Sequence, residues 1–330
     1  MQTIALSQQD VAALLPYAEV NGMVDTVFKE WGNGNVVMPP KINLDMSRSG
    51  YDSWNNAMPA FLPNHNAAGL KWIGGYKSNA DKGLPYIRGI VILTEPETGR
   101  TLSVMDGTYI SDWRTGASAA VAVKYLARKN FKKVVMIGAG TQGKTAAACI
   151  HELFPDSEIS VVDIFPEKRT AFIKEMSEKF HVPVKDEKDV EGAVRTADVL
   201  VLLTTAKKPF IKNEWLKDGV LTLPMGSYQQ AEDQVILNAD KIIVDSWGQA
   251  AHRGELKSLT ELRKISEKNI YAELGLIASG QKIGRENSKE RILAVLVGLG
   301  AHDVFIAKQV YDKAVKNGRG QKICLNDFAS

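Results

Sequence analysis

The chain has 330 residues, 45% of them hydrophobic, and sets 41 Lys and Arg against 38 Asp and Glu. That is enough apolar chain for two domains, and the charges are interspersed, as in Glu167-Lys168-Arg169, so neither disorder nor a nucleic-acid or membrane patch is indicated. Two distant cysteines, Cys149 and Cys324, a first segment without a basic apolar leader, and a longest apolar stretch (Ile292 to Gly300) short of the ~18 residues that span a bilayer predict a reduced, cytoplasmic protein.

Ser7-Gln8-Gln9-Asp10 ahead of Val11 to Leu15 predicts a capped first helix, because the hydroxyl and the acid three residues on can each take a backbone amide. An amphipathic stretch from Tyr17 to Trp31 predicts a second. After Asn33-Gly34-Asn35 the segments become short and strand-like. They are Lys41 to Asp45, Trp54 to Phe61, Ala68 to Ile73 and Gly89 to Leu93, with Glu95 to Arg100 turning a hairpin into Leu102 to Met105. Residues up to about Asp112 therefore read as a mostly antiparallel α+β layer, followed by an alanine-rich helix from Arg114 to Ala127.

The run Val134-Val135-Met136-Ile137-Gly138-Ala139-Gly140-Thr141-Gln142-Gly143 then ends a buried strand in Gly-x-Gly-x-x-Gly, with a helix expected from Lys144 to Phe154. This is the first half of a dinucleotide-binding βαβ unit. Gly138 allows the tight turn, Gly140 admits a pyrophosphate close to the backbone, and Gly143 lets the helix pack on the strand. The anion rests on the helix's first amides and its positive dipole end. A second strand, Glu158 to Asp163, closes on an acid placed to accept hydrogen bonds from the adenosine ribose and to repel a 2′-phosphate, which favours NAD over NADP. An ordinary strand-end Asp in a turn is the alternative for Asp163. Further buried strands at Val199 to Leu203, Gly219 to Leu223 and Lys241 to Val244 make this half an α/β, doubly wound parallel sheet, and helical patterning returns from Ile306 to Lys316.

Three basic residues stand in unusual settings. Lys41 follows Met38-Pro39-Pro40, Lys71 lies within Gly69-Leu70-Lys71-Trp72-Ile73, and Arg114 opens the alanine-rich helix. An arginine at a helix start suits a carboxylate, which it grips through two parallel hydrogen bonds. A lysine among apolar neighbours and glycines is desolvated and pushed towards neutrality, ready to move a proton. Each could instead snorkel to solvent, and the residues alone leave that open. His65, His151, His181, His252 and His302 are isolated, so no metal site is expected. Ala301-His302-Asp303, after Gly298-Leu299-Gly300, reads as a flexible loop that brings an acid to the nicotinamide side. No Gly-x-Ser-x-Gly elbow or Walker-type loop occurs.

Met38 to Lys41, Ala57 to Ala60, Gly69 to Trp72, Asp81 to Pro85, Pro96 to Gly99, Arg114-Thr115-Gly116, Gly138 to Gln142 and Gly284 to Glu290 together resemble the ornithine cyclodeaminase and mu-crystallin family, most of all its archaeal-type alanine dehydrogenase branch. The resemblance covers nearly the whole chain. It implies a substrate-binding and dimerisation domain at 1–113 with 305–330 returning to it, an NAD-binding Rossmann domain at 114–304, and a homodimer. Lys71 and Asp303 become the catalytic candidates, Lys41, Arg114 and Met58 the substrate-binding ones. Gly138, Gly140, Thr141, Gln142, Gly143, Asp163, Thr115, Thr204, Gly226 and Ser227 are the cofactor-binding candidates.

One loop departs from the family. Cyclodeaminases carry an Asp after the strand equivalent to Leu221 to Leu223, followed by Pro-Gly-Lys and a Glu. Here the text is Met225-Gly226-Ser227-Tyr228-Gln229-Gln230-Ala231-Glu232, shorter and without that acid. The expectation is an NAD-dependent oxidoreductase acting on a small α-amino acid and its imino or keto acid. The alternatives are a cyclodeaminase, which borrows a hydride and returns it, and an NAD(P)H-binding protein of the mu-crystallin kind. The side chain of the substrate is not legible, since one or two methylenes are worth only ~1–3 kcal/mol of discrimination.

Overall fold

A computed structural model describes residues 2–325. The chain divides into two compact units, residues 1–114 with 299–330 and residues 115–298.

The first unit holds strands β1 (Thr3–Leu6), β2 (Ile42–Asp45), β3 (Ser53–Leu62), β4 (Ala67–Tyr76), β5 (Ile87–Thr94) and β6 (Thr101–Asp106). With a terminal strand, Gln321–Ile323, they form a seven-stranded sheet in the order terminal strand, β1, β6, β5, β4, β3, β2, antiparallel except where β1 meets β6. Helices α1 (Gln8–Leu14) and α2 (Tyr17–Gly32) precede β2. Ser7 caps α1 in a reciprocal box with Asp10, each accepting from the other's end of the turn. Along β3, β4 and β5 alternate side chains are buried: Met58, Ala60 and Leu62; Lys71 and Ile73; Val91 and Leu93. The inner face is covered by the C-terminal helix, Gly300–Asn317, which packs across β3, β4 and β5.

Helix α3 (Thr108–Leu126) begins six residues before the expected start at Arg114. Asp106 accepts the Tyr109 amide at 2.8 Å and so supplies the cap, and Thr108-Tyr109-Ile110, β-branched and aromatic, hides the helix from a propensity reading. Arg114 is therefore inside α3 and not at its positive end. The helix Gly300–Asn317 likewise starts ahead of the expected Ile306, and Ala301-His302-Asp303 is its buried first turn and not a flexible loop. Leu299 precedes it with extended backbone, after Gly298 has turned the chain with a positive φ.

The second unit is an eight-stranded, all-parallel sheet built from β7 (Lys133–Ile137), β8 (Glu158–Val162), β9 (Val184–Asp186), β10 (Val199–Leu202), β11 (Leu221–Pro224), β12 (Lys241–Val244), β13 (Ala272–Glu273) and β14 (Ile292–Val295). The order is β9, β8, β7, β10, β11, β14, β12, β13, so the winding reverses between β7 and β10. Ligands of open α/β sheets bind at the carboxyl ends of strands at such a reversal. Helices α4 (Thr141–Leu153) and α5 (Pro166–Phe180) follow β7 and β8. The strands β10, β11, β12 and β14 are buried at every position and, apart from Thr222 and Lys241, apolar, as in a sheet covered on both faces. Among the described residues no helix is long and apolar enough to cross a membrane.

Candidate active site and cofactor site

Lys71 sits mid-strand in β4, paired with Met58 of β3 on one side and Val91 of β5 on the other. The pleat turns it inward, and it is fully buried. Its ammonium meets two groups carried by helices of the same unit. Nζ lies 2.7 Å from Asp303 Oδ2 and donates to Ser111 Oγ at 3.2 Å. Arg114 Nε donates to Asp303 Oδ1 at 3.3 Å, and Arg114 Nη2 donates to Ser111 Oγ at 3.1 Å. Lys71, Asp303, Arg114 and Ser111 thus close a four-membered ring in which each cation touches both the carboxylate and the hydroxyl.

Burial drives the electrostatics. It lowers Lys71 to about 8, helped by the Arg114 charge and opposed by Asp303. Asp303, also fully buried, would be raised by burial, but Lys71 and Arg114 outweigh that and hold it ionised below its ordinary value. Asp112, next along α3, rises to about 7 through burial, with Asp106 adding repulsion against the pull of Arg114. His302 is pushed down to about 3 by burial and then by Arg114, and is neutral. Its ring stands edge-on to Phe28 at 4.6 Å. A lysine titrating near 8 can both take and give a proton near neutral pH, which general acid and base catalysis requires.

The other substrate candidates are placed by the sheet. Met58 is buried and directly across from Lys71. Lys41 is half-buried and stands one residue before Ile42, which pairs with Ala57; it is not a member of the ring. Ser111 and Asp112 were not legible in the sequence, because with α3 begun at Arg114 they fall outside the helix. With the cap at Asp106 recognised, Ser111 lies one turn before Arg114 on the same face.

The cofactor candidates gather in the second unit. Gly138 has φ +116°, and a Cβ there would lie 2.6 Å from the Leu203 carbonyl of β10's end; a Cβ on Gly143 would meet the Gly138 carbonyl at 2.3 Å. Both positions exclude any other residue. Gly140 faces open space and ends the turn as the cap of α4 with no side-chain hydrogen bond, leaving the amides of Thr141, Gln142 and Gly143 for an anion. The helix itself begins at Thr141, ahead of the expected Lys144. Asp163 follows β8 and accepts from the Ala139 amide at 2.9 Å and the Phe165 amide at 3.0 Å, which sets its carboxylate against the glycine turn. These donors and this acid fit a dinucleotide. Thr115 is buried in α3, and Gly116 beside it lies against the Thr145 backbone of α4.

Thr204, after β10, is held by a buried Gln230, and Gly226, after β11, lies so close to the Gln230 side chain that a Cβ there would meet its Nε2 at 2.4 Å. Gln230 Oε1 accepts from the Thr204 amide at 3.0 Å and hydroxyl at 2.7 Å. Glu255, 1% exposed, accepts in turn from the amides of Gln230 at 2.9 Å and Ala231 at 2.8 Å, and burial raises it to about 7. Neither residue was singled out from sequence, where a lone Gln and a lone Glu give no pattern. Ser227 is exposed at the tip of this loop. Among the described residues no group of three or more His, Cys, Asp or Glu is placed to hold a metal ion.

The family model for ornithine cyclodeaminase and mu-crystallin matches residues 1–318. The chain belongs to that family. Within the family it is 34% identical to an alanine dehydrogenase of Archaeoglobus fulgidus over 98% of each chain, and 32% identical to a Delta(1)-pyrroline-2-carboxylate reductase of Bacillus cereus over 97% of this chain and 99% of that one. Among solved structures it is similar to an archaeal alanine dehydrogenase dimer with bound NAD (TM-score 0.92, 34% identity, 99% of this chain and all of that one). It is also similar to the Thermococcus litoralis Delta(1)-pyrroline-2-carboxylate reductase in complex with NADH and L-proline (TM-score 0.90, 31% identity, 97% of this chain and all of that one).

Proposed function

We propose that this NAD-dependent family member interconverts a small α-amino acid and its imino acid, with Lys71 moving the proton and Lys41, Met58 and Arg114 receiving the substrate. The observation that carries this is the buried ring, which presents a lysine titrating near 8 beside an arginine. With Lys71 and Arg114 cationic and Asp303 anionic, the ring carries net positive charge, which suits an α-carboxylate. In the oxidative direction Lys71 as amine takes a proton from the substrate ammonium, freeing the nitrogen lone pair. The bound nicotinamide supplies the chemistry of accepting the hydride from Cα, or returning it. In the reductive direction Lys71 as ammonium gives the proton to the newly formed amine. Asp303 is a positioning residue that holds the two cations.

The turn residues Gly138, Gly140, Thr141, Gln142 and Gly143 would hold the pyrophosphate and Asp163 the ribose. Thr115, Thr204, Gly226 and Ser227 complete the cofactor set. Asp163→Ser is expected to weaken NADH and relieve NADPH, moving the preference by about 1–3 kcal/mol, the worth of a hydrogen bond to a charged group. Fluorescence titration with both cofactors measures it, and a wild-type preference for NADPH would remove Asp163 from the ribose site.

The function itself is tested by absorbance at the reduced-nicotinamide band, with amino acids such as alanine and proline plus NAD, and with keto acids plus ammonium or cyclic imines plus NADH. We expect NADH to form or disappear in step with product. The loop from Met225 to Glu232, without the acid of the cyclodeaminases, supports net oxidation over ring closure. Sustained proline and ammonia from ornithine with no net NADH would establish the lyase instead. Flat traces with tight NADH binding would establish a binding protein. A homodimer is part of this reading, supported by the apolar outer face of the first sheet, where Val37, Ile42, Leu44 and Ile90 are 61%, 68%, 49% and 40% exposed. So is a cytoplasmic location, which the two free cysteines support.

A further inference from the structure

We propose that Ser111 is a positioning residue that sets both the spacing of Lys71 from Arg114 and the protonation of Lys71, through one hydroxyl oxygen shared between the two cations. The proposal rests on the assignment of Lys71 to proton transfer.

The ring is the reason. Two cations held by a single carboxylate can pivot about it, since Asp303 offers one oxygen to each, Oδ2 to Lys71 and Oδ1 to Arg114. A second fixed acceptor removes that freedom. Ser111 Oγ supplies it, receiving Lys71 Nζ at 3.2 Å and Arg114 Nη2 at 3.1 Å. A hydroxyl oxygen has two lone pairs, so both bonds are made at once. Ser111 is buried and stands one helical turn before Arg114 in α3, so the hydroxyl and the guanidinium are carried by one rigid element. Lys71 comes from the sheet and Asp303 from the C-terminal helix, so Ser111 ties the strand to α3 independently of the carboxylate.

Closure also biases the proton. A neutral acceptor at hydrogen-bond distance favours the ammonium of Lys71 without adding charge, whereas more carboxylate would lock it in that form. The other charged and titratable groups acting on Lys71 are Asp303, Arg114 and Asp112, with a neutral His302 behind them, while β3 and β5 present Met58 and Val91.

The test compares Ser111→Ala with Ser111→Thr, which keeps the hydroxyl. The Lys71 ammonium is followed by NMR in protein labelled with lysine carbon-13 at Cε, the resonance being identified by its loss in Lys71→Met. Ser111→Ala is expected to move the Lys71 titration to lower pH by about half to one unit, and Ser111→Thr to restore it. In kinetics Ser111→Ala is expected to raise KM for the carboxylate substrate by about fivefold to tenfold and to shift the limb of the pH profile in the same direction, with the Kd for NADH unchanged. An unshifted Lys71 titration in folded Ser111→Ala overturns the proposal. The NMR titration needs no turnover. If Lys71→Met keeps its activity, the assignment of proton transfer fails by itself, and the titration still decides whether Ser111 tunes the lysine.

Discussion

Lys71→Met is expected to lower turnover by about 10²–10⁴-fold while the Kd for NADH stays at its wild-type value, because a positioned acid or base contributes about that much and the cofactor residues lie on other elements. Methionine fills a similar volume without a titrating group. The pH dependence carries the sign. In the oxidative direction Lys71 must be an amine, so wild-type kcat/KM rises as pH passes through about 8 and levels above it; in the reductive direction it must be an ammonium, and the rate falls through the same range. The variant should lose both limbs. Stability follows the same titration. The folded value lies below the unfolded 10.5, so between about 8 and 10.5 the unfolded chain holds the extra proton and Lys71 makes the fold more stable as pH rises. Near-wild-type turnover in Lys71→Met would end the proton-transfer assignment.

Asp303→Leu is expected to destabilise the protein by about 3–5 kcal/mol, the cost of stripping a buried ion pair of one partner. Asp303 and Lys71 are both 0% exposed, and Arg114 shares the same carboxylate. Without it Lys71 sheds its proton at lower pH, since burial is then opposed only by weaker groups. The double variant Lys71→Met with Asp303→Leu replaces the pair by apolar side chains and should recover part of the loss, because burying two charges is itself expensive. Recovery stays incomplete because Arg114 has lost the Asp303 carboxylate. Urea unfolding of the four proteins at pH 7 measures this. A loss below ~1 kcal/mol in the single variant would mean that solvent reaches the ring and screens it.

The two predictions concern one arrangement with two consequences. The burial that lowers Lys71 into a useful range also takes three charges of the ring out of solvent, so chemistry and folding draw on the same contacts. Asp303 alone could pair with Lys71, but a single carboxylate opposite a lone buried lysine would hold it as ammonium. Burial lowers the lysine most, and Arg114, which takes a share of that carboxylate and repels Lys71 through space, adds to it, so that Lys71 titrates near 8 against the opposing pull of Asp303.

The parts of the molecule determined by local sequence were legible in it. The glycine turn after Ile137, the acid after Val162 and the apolar strands of the parallel sheet follow from backbone sterics and from period-2 or unbroken apolar runs, which act over a few residues. Ser7 and Asp10 likewise announce α1. The desolvation of Lys71 was legible as one of two outcomes, because apolar neighbours in a strand do not say which face is covered. Only the tertiary structure decided that. The C-terminal helix, some 230 positions along the chain, closes over β4 and leaves Lys71 no path to solvent, so snorkelling is lost to packing. The same packing turned Asp303 from an apparent loop acid into a buried counter-ion, and the cap at Asp106 moved Arg114 from a helix start to a helix interior, one turn after Ser111. Contacts such as Lys71 with Asp303, or Gln230 with Glu255, join residues whose separation along the chain carries no periodic signal, and a ring of four such groups exists only once the strand and both helices are in place.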